Sequence, residues 1–221
     1  MSFKPIAILF LAIYLFCLNT NPSSSISKKP IFAAMHHPTE NPWKVTSEKA
    51  VYDNKWINVT EYQVINPSGN PGIYGKVHFK NIAIAIIPLD EHLNTYIVGQ
   101  YRFAPDEYSW EVPEGGGPLD TDPLESAKRE LLEETGLKAS EWTEIQRMHL
   151  SNSVSDELGI IYLARGLEQF EPEPEDTEQL MVHKIHIDEA YSMICDGRIT
   201  DSATVAGILK IKLMLLEGKL V

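Results

Sequence analysis

The stretch Ile82-Ala83-Ile84-Ala85-Ile86-Ile87-Pro88-Leu89 constrains this chain more than any other. A continuous apolar run of this length reads as a β-strand buried on both faces, and such a strand needs packed layers on either side of its sheet. Around it the chain alternates between strand and helix signals. Residues 51–65 suggest two strands, or one with a bulge, ending at the turn Asn66-Pro67-Ser68-Gly69-Asn70-Pro71-Gly72. Residues 73–79 read as a strand. Residues 95–101 read as another, set after the turn Asp90-Glu91-His92-Leu93-Asn94 so as to form a hairpin with the apolar run. Residues 108–112, 145–150, 158–164 and 180–187 are further strand candidates, and 188–195 and 201–216 are helix candidates.

The clearest helix starts at Asp122-Pro123-Leu124-Glu125, which offers an N-cap, a proline at the first helical position and a glutamate three residues after the cap. Leu124, Ala127, Leu131 and Leu132 keep a helical period, and Gly136 suits the left-handed position that ends a helix. Strands on either side of a capped helix, with helices closing the chain, indicate an α/β sandwich with a mixed sheet.

At 221 residues the chain suits one domain, or one domain with an appended element. Cys17 and Cys195 belong to no spaced set, which excludes a disulfide framework or structural zinc site as the basis of the fold. A formal charge of −12 argues against nucleic-acid binding, which needs a positive surface to displace counterions. It leaves room for a small anionic substrate if bound cations invert the local sign.

The first residues differ in composition. Lys4 precedes an apolar run over 6–18 and a polar stretch over 19–25, the layout of a secretory signal peptide and short for a transmembrane helix. A start at Met35, with the upstream residues a misassigned extension, stands as the alternative. Residues 19–42 read as a linker. The expected organisation is therefore an N-terminal segment and linker over 1–42, a β region over 43–80 and the main domain over 81–221. A cytoplasmic location is expected for the main domain, with secretion or anchoring through residues 5–18 as the alternative, and membrane contact only if that segment is retained.

Glu130, Glu133 and Glu134 sit at i, i+3 and i+4, which places three carboxylates on one helical face. On spacing alone a solvated acidic face is the better reading, softened by Lys128 and Arg129. Three neighbours change the weighting. Gly115-Gly116-Gly117 lets backbone approach a ligand closely, Leu131 and Leu132 press the helix onto a core, and Gly136 ends it cleanly. The glycines are no P-loop, because no Gly-Lys-Ser/Thr follows. Clustered hard oxygens are what Mg2+ or Mn2+ binds, together with waters and substrate phosphates.

Gly115 followed by Arg129-Glu130-Leu131-Leu132-Glu133-Glu134-Thr135-Gly136-Leu137 resembles the box that defines the Nudix hydrolases. That box has a further glutamate where this chain has Thr121. The resemblance implies the Nudix α/β/α sandwich, with Glu130 and Glu134 as main metal ligands, Glu133 as an additional ligand and Arg129 orienting the carboxylates. A ferritin-like di-metal helix would need Glu-x-x-His pairs on several helices, and none is present.

The segments 55–59, Gln100-Tyr101-Arg102-Phe103, Trp110-Glu111-Val112-Pro113-Glu114-Gly115 and 188–201 are similar to the ADP-ribose pyrophosphatase branch of that family. In that branch a small antiparallel β region precedes the catalytic domain and is shared across a homodimer. The likeness implies Trp56 and Tyr74 on the adenine, Arg102 on phosphate, and Glu111 and Gly115 at the substrate. A core or dimer-interface role for Trp56 and an exposed ion pair for Arg102 and Glu111 are the plainer alternatives. The resemblance puts the general base on the acidic stretch 171–178, at Glu178 or else Asp176, with Glu157 on the preceding loop as a third candidate. The expected activity is metal-dependent hydrolysis of ADP-ribose or a related nucleoside diphosphate sugar. GDP-mannose is an alternative substrate, and a non-catalytic nucleotide-sugar sensor an alternative function.

Overall fold

The computed structural model describes residues 39–171 and 180–220, and Pro42–Val221 forms one compact unit. In chain order it runs β1 (Lys44–Asp53), β2 (Ile57–Ile65), β3 (Pro71–Phe79), β4 (Asn81–Pro88), β5 (Asn94–Arg102), β6 (Glu107–Glu111), β7 (Glu114–Pro118), α1 (Pro123–Thr135), β8 (Leu137–His149), β9 (Leu158–Gln169), β10 (Met181–His186), α2 (Ile187–Cys195) and α3 (Ser202–Leu216). This is a mixed α/β fold preceded by antiparallel strands.

β1, β2 and β3 form an antiparallel meander. Its first turn is organised by Asn54, whose Oδ1 accepts from the backbone N–H of Trp56 and of Ile57, each at 2.8 Å. A four-stranded sheet in the order β7-β4-β9-β8 is mixed, with β4 parallel to β9 and the other pairs antiparallel. A third sheet has the order β10-β5-β6.

The apolar run becomes β4, and its alternate residues do go to opposite layers. Ile84 and Ile86 pack with Ala127 and Leu131 of α1. Ala85, Ile87 and Leu89 pack with Ile187, Ala190, Ala203, Ile208 and Ile211 of α2 and α3. Ile86 and Ile87 are 0% exposed, and burying each contributes roughly 1.5–3 kcal/mol.

One expectation is corrected. β4 and β5 do not form a hairpin. Both edges of β4 are taken by β7 and β9, so β5 leaves for the other sheet, between β10 and β6. The glycine run lies in β7, paired antiparallel with β4 through Gly115↔Ile84 and Gly116↔Ala83. Among the described residues no helix is long and apolar enough to cross a membrane. The apolar stretch at 6–18 lies outside them.

Candidate active site

The site begins where β7 meets α1. Asp122 caps the helix by accepting from the Leu124 N–H at 3.0 Å. Gly136 ends it at φ 70°, its N–H donating to the Leu132 carbonyl. Buried Ala127 and Leu131 seat α1 on the sheet and so turn Glu130 and Glu134 inward onto β7. The Glu134 Oε2 accepts from the Glu114 N–H at 3.0 Å. The Glu130 carboxylate lies directly on Gly115: a Cβ there would come within 2.2 Å of its Cδ and Oε1. Only glycine leaves room for that carboxylate. Arg129 forks between Glu133 Oε2 and Glu130 Oε1, each at 2.5 Å, while Nη2 also donates to the Gly116 carbonyl at 3.2 Å. The three helix carboxylates are thus held by backbone and by one planar guanidinium.

Facing them is a second acidic group. Glu111, 3% exposed, takes both of its oxygens to Arg102 Nε at 3.0 Å, and Arg102 Nη2 donates to Glu111 Oε2 at 2.5 Å and to Glu114 Oε1 at 2.6 Å. Carboxylate oxygens of Glu111, Glu114 and Asp201 lie within 4.8 Å of one another. Burial, then the charges of Asp201 and Glu111, push the Glu114 carboxyl well above its usual range against the pull of Arg102. Burial works against charge on Arg102 as well, but its carboxylate partners outweigh that and hold the guanidinium firmly protonated.

Asp201 is also the N-cap of α3, its Oδ2 accepting from the Thr204 N–H at 2.7 Å. The fully buried Thr204 hydroxyl accepts from the Val112 N–H at 3.0 Å. The start of α3 therefore fixes the backbone between Glu111 and Glu114.

These groups open on a cleft of about 360 Å³ whose lining includes Trp56, Gln100, Arg102, Glu114, Glu157 and Asp201. Trp56 is 55% exposed, with the Lys55 ammonium 4.1 Å from its ring centre. Glu157 reaches the cleft from the β8–β9 loop, partly buried, and burial raises its carboxyl above the ordinary value.

The structure brings together Trp56, Arg102, Gly115 and Glu157 around the cleft, with Glu111 behind Arg102 and Glu130 and Glu134 against β7. Tyr74 does not line it; its hydroxyl donates to the Ser153 carbonyl at 2.5 Å and its ring meets Trp43 edge-on. Thr121 sits exposed in the turn before α1, its N–H on the Pro118 carbonyl. Asp176 and Glu178 lie outside the described residues. Sequence reasoning gave no role to Glu114, Asp201 or Thr204. The Glu111-x-x-Glu114 spacing and the Asp201 cap signal were visible, but nothing local joins them across the chain.

Comparison with known proteins agrees with this geometry. A family profile described as the NUDIX domain matches residues 79–195, and one described as the nucleoside diphosphate sugar hydrolase N-terminal domain matches residues 43–77. An ADP-ribose pyrophosphatase of Mycobacterium tuberculosis is 31% identical over 176 residues, covering 78% of this chain and 84% of that protein. A CMP-5'-(N-acetyl-N-hydroxy-3-aminopropyl)phosphonate hydrolase of Streptomyces rubellomurinus is 29% identical over 171 residues, covering 76% and 82%. A crystal structure of an ADP compounds hydrolase superposes with a TM-score of 0.73 at 16% identity, over 83% of this chain and all of that one.

Proposed function

The chain belongs to the Nudix hydrolases and is a pyrophosphohydrolase, and from that premise we propose that it hydrolyses the diphosphate of ADP-ribose or a related nucleoside diphosphate sugar. The products are a nucleoside monophosphate and a sugar phosphate. One observation carries the reading: the Nudix-box helix is locked carboxylate-to-backbone onto β7, at the edge of a cleft that also holds an arginine and an exposed tryptophan.

Around this cleft carboxylates outnumber guanidiniums, and the upward shift of Glu114 reflects its burial first and then that excess of negative charge. The donor set fits Mg2+ or Mn2+, which take hard oxygen ligands. Glu130 and Glu134, with Glu133 as an additional ligand, would hold the cation. When bound, such an ion offsets diphosphate charge and makes water a better nucleophile. Arg129 keeps the helix carboxylates aligned. Arg102 offers a guanidinium to a phosphate oxygen and is itself held in place by Glu111. Trp56 gives the base a face to stack on, worth about 1–3 kcal/mol by analogy with single-strand binders. A carboxylate accepts the proton of the attacking water: Glu178 or Asp176 by resemblance, or Glu157 from the cleft wall.

The M. tuberculosis relative supports ADP-ribose as the substrate. The Streptomyces relative, a hydrolase of a cytidylyl phosphonate, supports tolerance at the base and at the second group. A panel of ADP-ribose, GDP-mannose and other nucleotide sugars, assayed with Mg2+ for the nucleoside monophosphate, tests the proposal. Glu134→Gln should lower kcat about a thousandfold, the several kcal/mol a catalytic cation supplies. Unchanged Mg2+-dependent turnover in that variant would remove the ligand assignment. Thr121, in place of the box's outer glutamate, favours a second reading as a sensor; tight ADP-ribose binding without AMP release would establish it.

The exposed apolar side chains Val45, Val51, Tyr52 and Ile73 of β1 and β3 support a homodimer built on this sheet. A monomeric mass by light scattering would remove it, together with any adenine site shared between subunits.

A further inference from the structure

The β8–β9 loop carries two consecutive carboxylates with opposite duties. Glu157 enters the cleft beside Leu150 and Gly159. Asp156 turns the other way and gathers three donors from the end of β3. Its Oδ1 accepts from the Phe79 N–H at 3.1 Å, and its Oδ2 from Lys76 Nζ at 2.7 Å and His78 Nδ1 at 2.8 Å. Lys76 and His78 are two apart on one strand, hence on one face, which is why both reach the same oxygen. Backbone bonds continue the attachment, with the Val77 N–H on the Val154 carbonyl at 2.9 Å and the Asp156 N–H on the Val77 carbonyl at 3.2 Å. Burial opposes the charge of Asp156, and the hydrogen bonds from Lys76, His78 and Phe79 outweigh it, holding the carboxyl down at about 2. Phe79, the residue whose amide Asp156 grips, itself lines the cleft.

We infer that Asp156 is a positioning residue for the hydrolytic reaction: by tying the β8–β9 loop to β3 it holds Glu157 in the cleft. The inference rests on the proposed pyrophosphohydrolase function and adds to it a dependence of one cleft wall on the N-terminal sheet of the same chain. A small displacement of a group that contacts substrate or its water is costly, since a misplacement of about 1 Å can lower the rate on the order of a hundredfold. Asp156 is not itself part of the cleft lining, so its effect must pass through the residues it holds, Glu157 beside it and Phe79.

A double-mutant cycle on the full-length protein tests this with ADP-ribose and Mg2+. Asp156→Ala should lower kcat about tenfold, a fraction of that limit, with KM shifted far less. Asp156→Asn, which can still accept from the Phe79 amide, should recover part of the loss. In a Glu157→Gln background, Asp156→Ala should cost almost nothing further. Hydrogen exchange at the amides of Val77, Phe79 and Asp156 should rise in Asp156→Ala while the amides of β4 stay protected. Two results overturn the inference alone: Glu157→Gln at the wild-type rate while Glu178→Gln is slow, or an equal Asp156→Ala loss in both backgrounds. A wild-type protein that releases no nucleoside monophosphate from any nucleotide sugar overturns the proposed function and the inference together.

Discussion

The cleft has two walls of unlike origin. One is a single continuous stretch, β7 and α1, in which Glu114, Gly115, Arg129, Glu130, Glu133 and Glu134 contact one another within a strand, a turn and a helix. The other is assembled from the end of β6 with Glu111, the cap of α3 with Asp201 and Thr204, the β8–β9 loop with Asp156 and Glu157, and Trp56 from the turn before β2. The first wall is held by helical spacing and by close approach to a glycine. The second depends on polar bonds between distant segments, several of them buried. Damage should therefore show as lost rate in the continuous wall and as lost stability at the buried bonds of the assembled one, the exception being the Asp156–Glu157 loop, where rate is what falls.

The largest effect on that contrast is expected at Arg102. Arg102→Ala strands the 3% exposed Glu111 carboxylate without its partner. The loss should be about 2–3 kcal/mol in urea unfolding, below the 3–5 of a fully buried pair, because the Arg102 side chain is 37% exposed. Arg102→Met with Glu111→Leu should regain much of it. Gly115→Ala comes next and should do the reverse. The new Cβ would sit 2.2 Å from the Glu130 carboxylate and displace it, lowering kcat about a hundredfold with little change in melting temperature. Gly116→Ala, whose Cβ would come no closer than 3.1 Å to another side chain, at Asn81 Nδ2, is the matched control. If Gly115→Ala instead unfolds the protein, the division between the walls fails.

Thr204→Val leaves the Val112 N–H without its acceptor and should cost about 1–2 kcal/mol of stability, which Thr204→Ser restores. The smallest effect is a pH dependence at Asp156. Its carboxyl is lowered from 3.8 to about 2 on folding. That contribution is present above the unfolded value and is lost as pH falls through about 2. Asp156→Asn should flatten the acid limb of the stability curve over that window by lowering the neutral plateau, where the contribution is fully present, and only modestly because the side chain is 32% exposed.

The same division explains what could be read from the residues in order. The capped helix, the both-sides-buried strand and the glutamates of α1 were legible because each is written in local spacing, at 3.6 or 2 residues per repeat. Arg102 and Glu111 were singled out by family resemblance, with an exposed ion pair as the plainer alternative; the two do pair, but with the Glu111 end buried. The bonds that join Glu114 to Arg102 and Glu134 cross 12 and 20 residues and pass between elements, the one from Val112 to Thr204 crosses 92, and none leaves a periodic trace. The β4–β5 hairpin was misread because a turn between two strands says nothing about whether their edges are already occupied. Here β7 and β9, later in the chain, claim both edges of β4.

The bond from Thr204 to Val112 has a consequence for biosynthesis. Domains emerge from the ribosome at about 5–20 residues per second, N-terminal part first. The glutamates of α1 are made well before the helix whose first turn sets the Glu111–Glu114 backbone. During those seconds the nascent protein carries the acidic cluster without its finished frame. Hydrolytic competence should therefore arrive late, with the last helix, so that a chain stalled before Asp201 would display the Nudix box and remain inert.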